Sequence, residues 1–378
     1  MLSRKCVEKE IDAPRSCSPL AFPAQPDRVW RSNGAGDLID VTREWLGEHE
    51  SGRGMGIVVG QFDESPGLDL YVANDMTANH LWLASEKSNR FLFSEQATLR
   101  GLALNQRSVA QASMGIAVGD ADQDSDIDFF VTHFSADYNT YYEQVDKGLW
   151  MDRSDVADLA NPSQRMLAYG AQWLDVNNDG DLELLVANGD IDDFTHKDRL
   201  YRQPFQVFDR EPAGRWQLLQ SESLGAYFTK PHLARSVVGA DIDRDHRVDL
   251  VVTHLFEPVA VLRNNSQDTG NSVRLIFKGT RCHRDAIGVE VHYQIGDQSF
   301  TKQLYAGDGY HCSSERIMSI GVGAAERLEG VLIHWPDGGR ETIGDLETGS
   351  DYMIVQGLNE PFGMSIVEES RPPATHLP

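Results

Sequence analysis

The chain has 378 residues, enough for two or three domains and for a core that needs no covalent staples. Acidic side chains outnumber basic ones 58 to 34, a formal charge of −24, so the basic footprint of a nucleic-acid binder is missing. Hydrophobic residues at 40 %, with 7 Trp, 11 Tyr and 15 Phe, exclude a disordered acidic chain, and no apolar run approaches the roughly 18 to 20 residues of a spanning helix.

Residues 1–26 form an irregular, Pro-containing segment with Cys6 and Cys17, and the start Met1-Leu2-Ser3-Arg4-Lys5 is not followed by the apolar stretch of a signal peptide. The cysteines fall into two local groups, Cys6 with Cys17 and Cys282 with Cys312. Neither has the C-x-x-C spacing of a zinc or thioredoxin-like site, so two short-range disulfides in an oxidising compartment are weighed against free thiols. Asp27–Gly34 and Asp37–Thr42 then read as the outer strands of a blade whose inner strands are missing.

Four segments align with one another, at 56–74, 115–133, 170–188 and 236–254, their starts 59, 55 and 66 residues apart. That spacing fits one four-stranded propeller blade with loop insertions, somewhat longer than the ~40 to 50 residues of compact blades. Within each repeat a short apolar strand enters an acidic loop and leaves as a strand rich in Val, Leu and aromatics. The second loop places Asp120, Asp122, Asp124 and Asp128 at positions 1, 3, 5 and 9; the third has Asp175, Asn177, Asp179 and Glu183, and the fourth Asp241, Asp243, Asp245 and Asp249. Alternate side chains in a tight turn can converge their oxygens on one hard cation, and Ca²⁺ takes 6 to 8 oxygens at roughly 2.3 to 2.6 Å. The plain alternative is a solvated Asp/Asn turn without an ion. Three loops in one register, each followed by a strand, exceed what turn propensity requires. An EF-hand is excluded by the absence of Glu at position 12 and by flanks without helical period. The first loop, with Gln61, Asp63, Ser65 and Asp69, carries too little charge for more than weak binding through Asp63 and Asp69. The expectation is Ca²⁺ at about three sites, with a weak fourth.

Five residues beyond each position-9 acid stand Asn74, His133, Asn188 and His254, an alternation of Asn and His that would either ring a polar pocket or bond local backbone at strand ends. The segment 141–164, with Asp146, Asp152, Asp155 and Asp158, reads as an inserted helix or loop with a solvated charged face. The motifs G-x-S-x-G, G-x-x-x-x-G-K-[ST] and H-E-x-x-H are absent, so no catalytic residue is assigned.

These residues resemble FG-GAP (VCBS-type) repeat proteins, of which the integrin α-subunit propellers are examples. Tyr71–Asn79 and Gln111–Gly115 are more specifically similar to the cartilage acidic protein and ASPIC/UnbV family, as are Arg284–Val291, Ala306–Tyr310, Ile320–Gly323 and Val331–Gly339 in the last third. The resemblance implies an all-β chain: FG-GAP propeller blades over 27–266, forming an incomplete ring, an ASPIC/UnbV β-sandwich-like module over 271–357, and a tail over 358–378. It further implies an extracellular or periplasmic calcium-binding protein that recognises or adheres to a protein or glycan, without nucleic-acid binding or direct membrane insertion. An enzyme of secondary or carbohydrate metabolism using the propeller face as its pocket is the alternative, which a tightly bound transition metal at His133 and His254 or turnover of a glycan would favour.

The chain departs from the family pattern at Gln61 and Ser65, and at Ser125 and His246, which replace the usual turn glycine. Blades for a closed ring are also too few, since a propeller takes four to eight and this family's metrics suggest seven. An open arc exposes an unpaired inner edge, so upstream repeats or a second chain are expected to complete it. If the terminal module is a sandwich, Cys282 and Cys312 lie on loops that can meet, and a disulfide between them is expected.

Overall fold

The computed structural model describes residues 5–364 apart from 11, 64, 66, 88 and 89, and the fold is all-β. A hairpin of β1 (Cys6–Glu8) and β2 (Ala13–Arg15) is tied by a Cys6–Cys17 disulfide. A ribbon of β3 (Trp30–Ser32) and β4 (Leu38–Asp40) follows.

Next come four antiparallel meanders whose spatial order equals their chain order. The first has β5 (Gly54–Gly60), β6 (Asp69–Asn74), β7 (His80–Lys87) and β8 (Arg90–Glu95). The second has β9 (Ser113–Gly119), β10 (Asp128–His133), β11 (Thr140–Asp146) and β12 (Leu149–Asp152). The third has β13 (Ala168–Leu174), β14 (Glu183–Asn188), β15 (Gln206–Arg210) and β16 (Trp216–Leu218). In the fourth are β17 (Ala234–Ala240), β18 (Asp249–His254) and β19 (Ala260–Leu262).

The second strand of each blade lacks a polar alternation because both its faces are covered. Phe129 and Val131 of β10 pack with Val58, Tyr71 and Leu81 of the first blade, while Phe130 between them packs with Trp173, Leu184 and Phe208 of the third. β14 repeats the device, Leu184 and Val186 facing backward and Leu185 and Ala187 facing forward onto Val237 and Val252. A period of two with both faces apolar reads as a continuous hydrophobic run, and it stacks the blades side by side. The segment expected as an insertion is instead the outer half of the second blade: β11 and β12 turn at Gly148, with only Ala160–Ser163 helical beyond them.

The last third adds β20 (Asn271–Lys278), β21 (Glu290–Ile295), β22 (Gln298–Gln303), β23 (Met318–Gly323), β24 (Arg327–His334), β25 (Arg340–Glu347), β26 (Ser350–Val355) and β27 (Phe362–Met364). They form two sheets, ordered β23-β20-β26-β27 and β22-β21-β24-β25. Leu275, Phe277 and Ile320 of one sheet meet Val291, Val331 and Ile333 of the other in a dry core, which makes this module a sandwich.

The segment joining β22 to β23 leaves the sandwich and crosses the first strands of the blades. Val59 and Ala306 exchange both backbone hydrogen bonds, at 2.8 and 3.0 Å, and Ile116 and Gly309 do the same at 3.0 and 2.6 Å. At the fourth blade the Ser236 hydroxyl donates to the Tyr310 carbonyl at 2.5 Å and the Asp241 N–H to Glu315 Oε1 at 3.0 Å. The chain's own terminal module thus bonds to the inner strands of the first and second blades and to the fourth blade. This also corrects the expected Cys282–Cys312 bridge, since both thiols are free. Cys312 is carried into the blades, its Sγ 3.6 Å from the Val237 carbonyl, while Cys282 stays on the β20–β21 loop against the His283 carbonyl.

Candidate metal centres at the interface between blades and sandwich

The acidic loops share one backbone design. Positions 4 and 6 are left-handed in all three full loops: Gln123 and Ser125, Asn178 and Gly180, Arg244 and His246, with φ between 59° and 99°. Ser125 and His246 thus adopt the glycine conformation without being glycine, which costs about 1 kcal/mol or more each unless the surroundings impose it. The surroundings do so through the position-1 carboxylate. Asp120 Oδ2 accepts the Ser125 N–H at 3.0 Å, Asp175 Oδ2 the Gly180 N–H at 3.1 Å, and Asp241 Oδ2 the His246 N–H at 3.0 Å. Position 5 accepts from the N–H of position 7 in each loop, through Asp124, Asp179 and Asp245.

The turn therefore gathers its acids on the inside. Ligand oxygens of Asp120, Asp122 and Asp124 all lie within 4.8 Å of one another, as do those of Asp241, Asp243 and Asp249. In the third loop Asn177 Nδ2 donates to Asp179 Oδ2 at 2.8 Å, and the Asn177 amide oxygen accepts the Asp179 N–H at 3.0 Å. One buried carboxylate oxygen in each of the second and third loops, Asp120 Oδ1 and Asp175 Oδ1, meets no protein donor. A buried anion without a partner is costly, and a hard cation supplies one. Burial pushes the Asp120 carboxyl up to about 7, with Asp124 and Asp122 acting in the same direction, and pushes Asp175 up to about 6, opposed by the Lys302 ammonium. On this chemistry the second and third loops fit Ca²⁺.

The fourth loop differs because arginines already occupy its field. Arg274, 4 % exposed at its side chain, donates to Asp241 Oδ2 at 2.8 Å; Arg263 Nε lies 2.6 Å from Asp243 Oδ2, and Arg247 pairs with Asp245. The first loop is a docking point: the Gln303 amide clamps the Gln61 backbone, accepting its N–H at 2.7 Å and donating to its carbonyl at 3.0 Å. Gln61 itself donates to the Ser65 carbonyl, and Asp63 accepts the Ser65 N–H.

The position-9 acids have a second task. Asp69, Asp128, Glu183 and Asp249 accept the N–H of loop position 2, from Phe62, Ala121, Val176 and Ile242 respectively. The three aspartates also accept an N–H from the third strand or just past it, from Ala84, Gln144 and Asn264. They are braces between loop and sheet.

The first, third and fourth loops bond to the sandwich. Gly270 and Gly323 donate backbone hydrogen bonds to Asn177 and Asn178, each at 2.8 Å. A Cβ on Gly321 would lie 1.9 Å from Asp175 Oδ2, so only glycine lets the sandwich approach that loop. Between the second and third loops and β22 lies a cavity of ≈ 220 Å³, lined among others by Asp120, Asp175, Lys302, Tyr305 and Glu315. Lys302 donates to the Ser319 carbonyl at 2.8 Å, and burial holds its ammonium below the ordinary lysine range. Arg274, Lys302, Gln303 and the 304–316 segment are contributions the loop pattern did not reveal.

The Asn/His series bonds locally. Asn74 donates to the Ala78 carbonyl, His133 Nε2 meets Thr140 Oγ1 at 3.0 Å, Asn188 donates to the Pro204 carbonyl, and His254 meets the Tyr227 hydroxyl and the Pro258 carbonyl. None of the four lines the cavity between the second and third loops. Complete burial lowers the His133 pKa to about 3. The unfolded chain, with a His pKa near 6.5, then binds more protons than the folded one between those values. The stability this neutral ring contributes is fully present above about pH 6.5 and is lost as pH falls toward 3. His133→Asn, the residue that two sibling blades carry, is expected to flatten this acid limb by a few kcal/mol in chemical denaturation series. An unchanged pH profile would refute that assignment.

Comparison with known proteins agrees with this geometry. Residues 175–252 match the family profile FG-GAP-like repeat, and residues 279–361 match ASPIC and UnbV. Cartilage acidic protein 1 of Xenopus tropicalis is 24 % identical over 311 residues, 80 % of this chain and 44 % of that protein. The mouse and human proteins of the same name are each 26 % identical over 168 residues, 43 % of this chain and 25 % and 24 % of theirs. The chain spans less than half the length of these relatives. The chain thus carries segments similar to an FG-GAP-like repeat and to ASPIC and UnbV, and over most of its length it is similar to a cartilage acidic protein.

Proposed function

We propose that this is a calcium-binding protein of the extracellular space or periplasm that recognises a protein or glycan, its acidic loops acting as ion clamps between blades and sandwich. The observation that carries this reading is the pair of loops at Asp120–Asp128 and Asp175–Glu183, each with a buried carboxylate oxygen that no protein donor meets. The Cys6–Cys17 disulfide and the kinship to cartilage acidic proteins support a location outside the cytosol. No helix among the described residues is long and apolar enough to cross a membrane.

Two tight calcium sites are expected, in the second and third loops, with a weaker third in the fourth loop where arginines compete. Equilibrium dialysis checks this: Asp120→Asn and Asp175→Asn each remove one tight site, and Arg263→Ala tightens the weak one. Recognition is tested by surface binding to a panel of matrix proteins and glycans. Binding that calcium supports and EGTA releases favours the reading; binding indifferent to both variants and to EGTA overturns it.

A further inference from the structure

Two strands of the sandwich bring a chemically different cluster to one face. Glu290 on β21 stands directly opposite His334 on β24, and His292, two residues along β21, shares that face. His292 Nε2 lies 2.9 Å from His334 Nδ1 and 3.6 Å from Glu290 Oε2, and His334 Nδ1 lies 3.8 Å from the same oxygen. A point equidistant from three atoms so spaced lies about 2 Å from each, the length of a zinc–imidazole or zinc–carboxylate bond. Tetrahedral bonds of that length set neighbouring ligands about 3.4 Å apart, which is also the mean edge of this triangle; octahedral bonds would set them about 3 Å apart.

The next strand supplies the support such ligands need. Thr301 and Gln303 on β22 pair directly with His292 and Glu290. Thr301 Oγ1 is 2.9 Å from His292 Nδ1, and Gln303 Nε2 donates to Glu290 Oε1 at 3.1 Å. A proton on Nδ1 facing Thr301 leaves the Nε2 lone pair aimed at the cluster. In the other His/Glu cluster, His232, His254 and Glu257, it is His254 that lacks this freedom, its two nitrogens meeting the Tyr227 hydroxyl and the Pro258 carbonyl.

We propose that Glu290, His292 and His334 form a zinc site on the sandwich, with three protein ligands and a fourth position open to water or to a donor atom of a partner. Two imidazoles set it apart from the oxygen-only loops, because nitrogen donors suit zinc and not calcium. Gln303 joins the two kinds of site, its amide holding both Glu290 and the backbone of the first loop.

The full chain, stripped with EDTA and then saturated with calcium, is titrated with Zn²⁺ against a chromophoric chelator. One zinc per chain is expected, with affinity falling about a hundredfold or more in His292→Ala and His334→Ala, and about 10-fold to 100-fold in Thr301→Val, which removes only the support. Thermal melts in EDTA show whether each variant folds, and Thr301→Val is the conservative control. Co²⁺ in place of zinc is expected to give tetrahedral d–d bands without a thiolate-to-metal band. No zinc uptake in excess calcium, wild-type affinity in His292→Ala and His334→Ala, or a thiolate band pointing to Cys282 or Cys312 would overturn the assignment.

Discussion

Asp128→Ala is expected to destabilise the protein by about 3 to 5 kcal/mol in urea denaturation, even in EGTA, where metal loss cannot contribute. The carboxylate is 1 % exposed. It accepts from the Ala121 N–H at 3.1 Å, the Gln144 N–H at 2.9 Å and the Tyr141 hydroxyl at 3.1 Å. Removing it strands these donors in a site that water does not reach, at roughly 1 to 3 kcal/mol each before relaxation. The sibling positions give an internal ranking. Asp69 and Asp249 each hold two backbone donors and Glu183 holds one, so Asp69→Ala and Asp249→Ala should cost less than Asp128→Ala, and Glu183→Ala least. A loss below about 1 kcal/mol for Asp128→Ala would mean that the brace contributes little, and the account of how loop and sheet are joined would fail.

The second large effect is expected at Gly307. Its φ is +91°, and a Cβ there would lie 2.1 Å from the Ile57 carbonyl oxygen, a backbone atom that cannot step aside. Gly307→Ala should lift the segment from the blades at a cost of about 3 kcal/mol or more. Amide exchange reads this directly, because the Val59 and Ile116 N–H groups are protected by the Ala306 and Gly309 carbonyls. Both amides should exchange faster in the variant while the sandwich core keeps its protection. Gly349→Ala is the control: its φ is also positive, at +69°, but nothing lies within 4 Å of the added carbon, so only about 1 kcal/mol of backbone cost is expected. Equal effects at the two positions would show that the crossing segment is held by something other than the close approach.

How much of this could be read from the residues follows from periodicity. Acids at fixed offsets before a Val-rich strand marked the repeat, the loop and its inner face, because turn chemistry and strand alternation are local rules. Ser125 and His246 looked like defects, and they hold left-handed backbone because Asp120 and Asp241 capture their N–H groups. The Ala306–Tyr310 stretch was visible as a family motif, but its task was not. Its bonds to the blades run from backbone to backbone across nearly 200 residues or more of sequence, and such pairing leaves no signature in side-chain type. Arg274 and Lys302 were unreadable for a related reason: strand alternation marks neither cation, and only the docking of the sandwich brings them to Asp241 or toward Asp175. The expected Cys282–Cys312 bridge failed through the same long-range event, which moves Cys312 onto the blades.

The most direct test of the central claim is a thermal melt of the full chain in EGTA and in saturating calcium. Two sites filled at a hundredfold excess over their dissociation constants contribute about 5 kcal/mol, which should raise the midpoint by about 6 °C and keep blades and sandwich melting as one unit. A midpoint that is the same in both buffers would contradict the claim that cations lock these loops and seat the sandwich upon them.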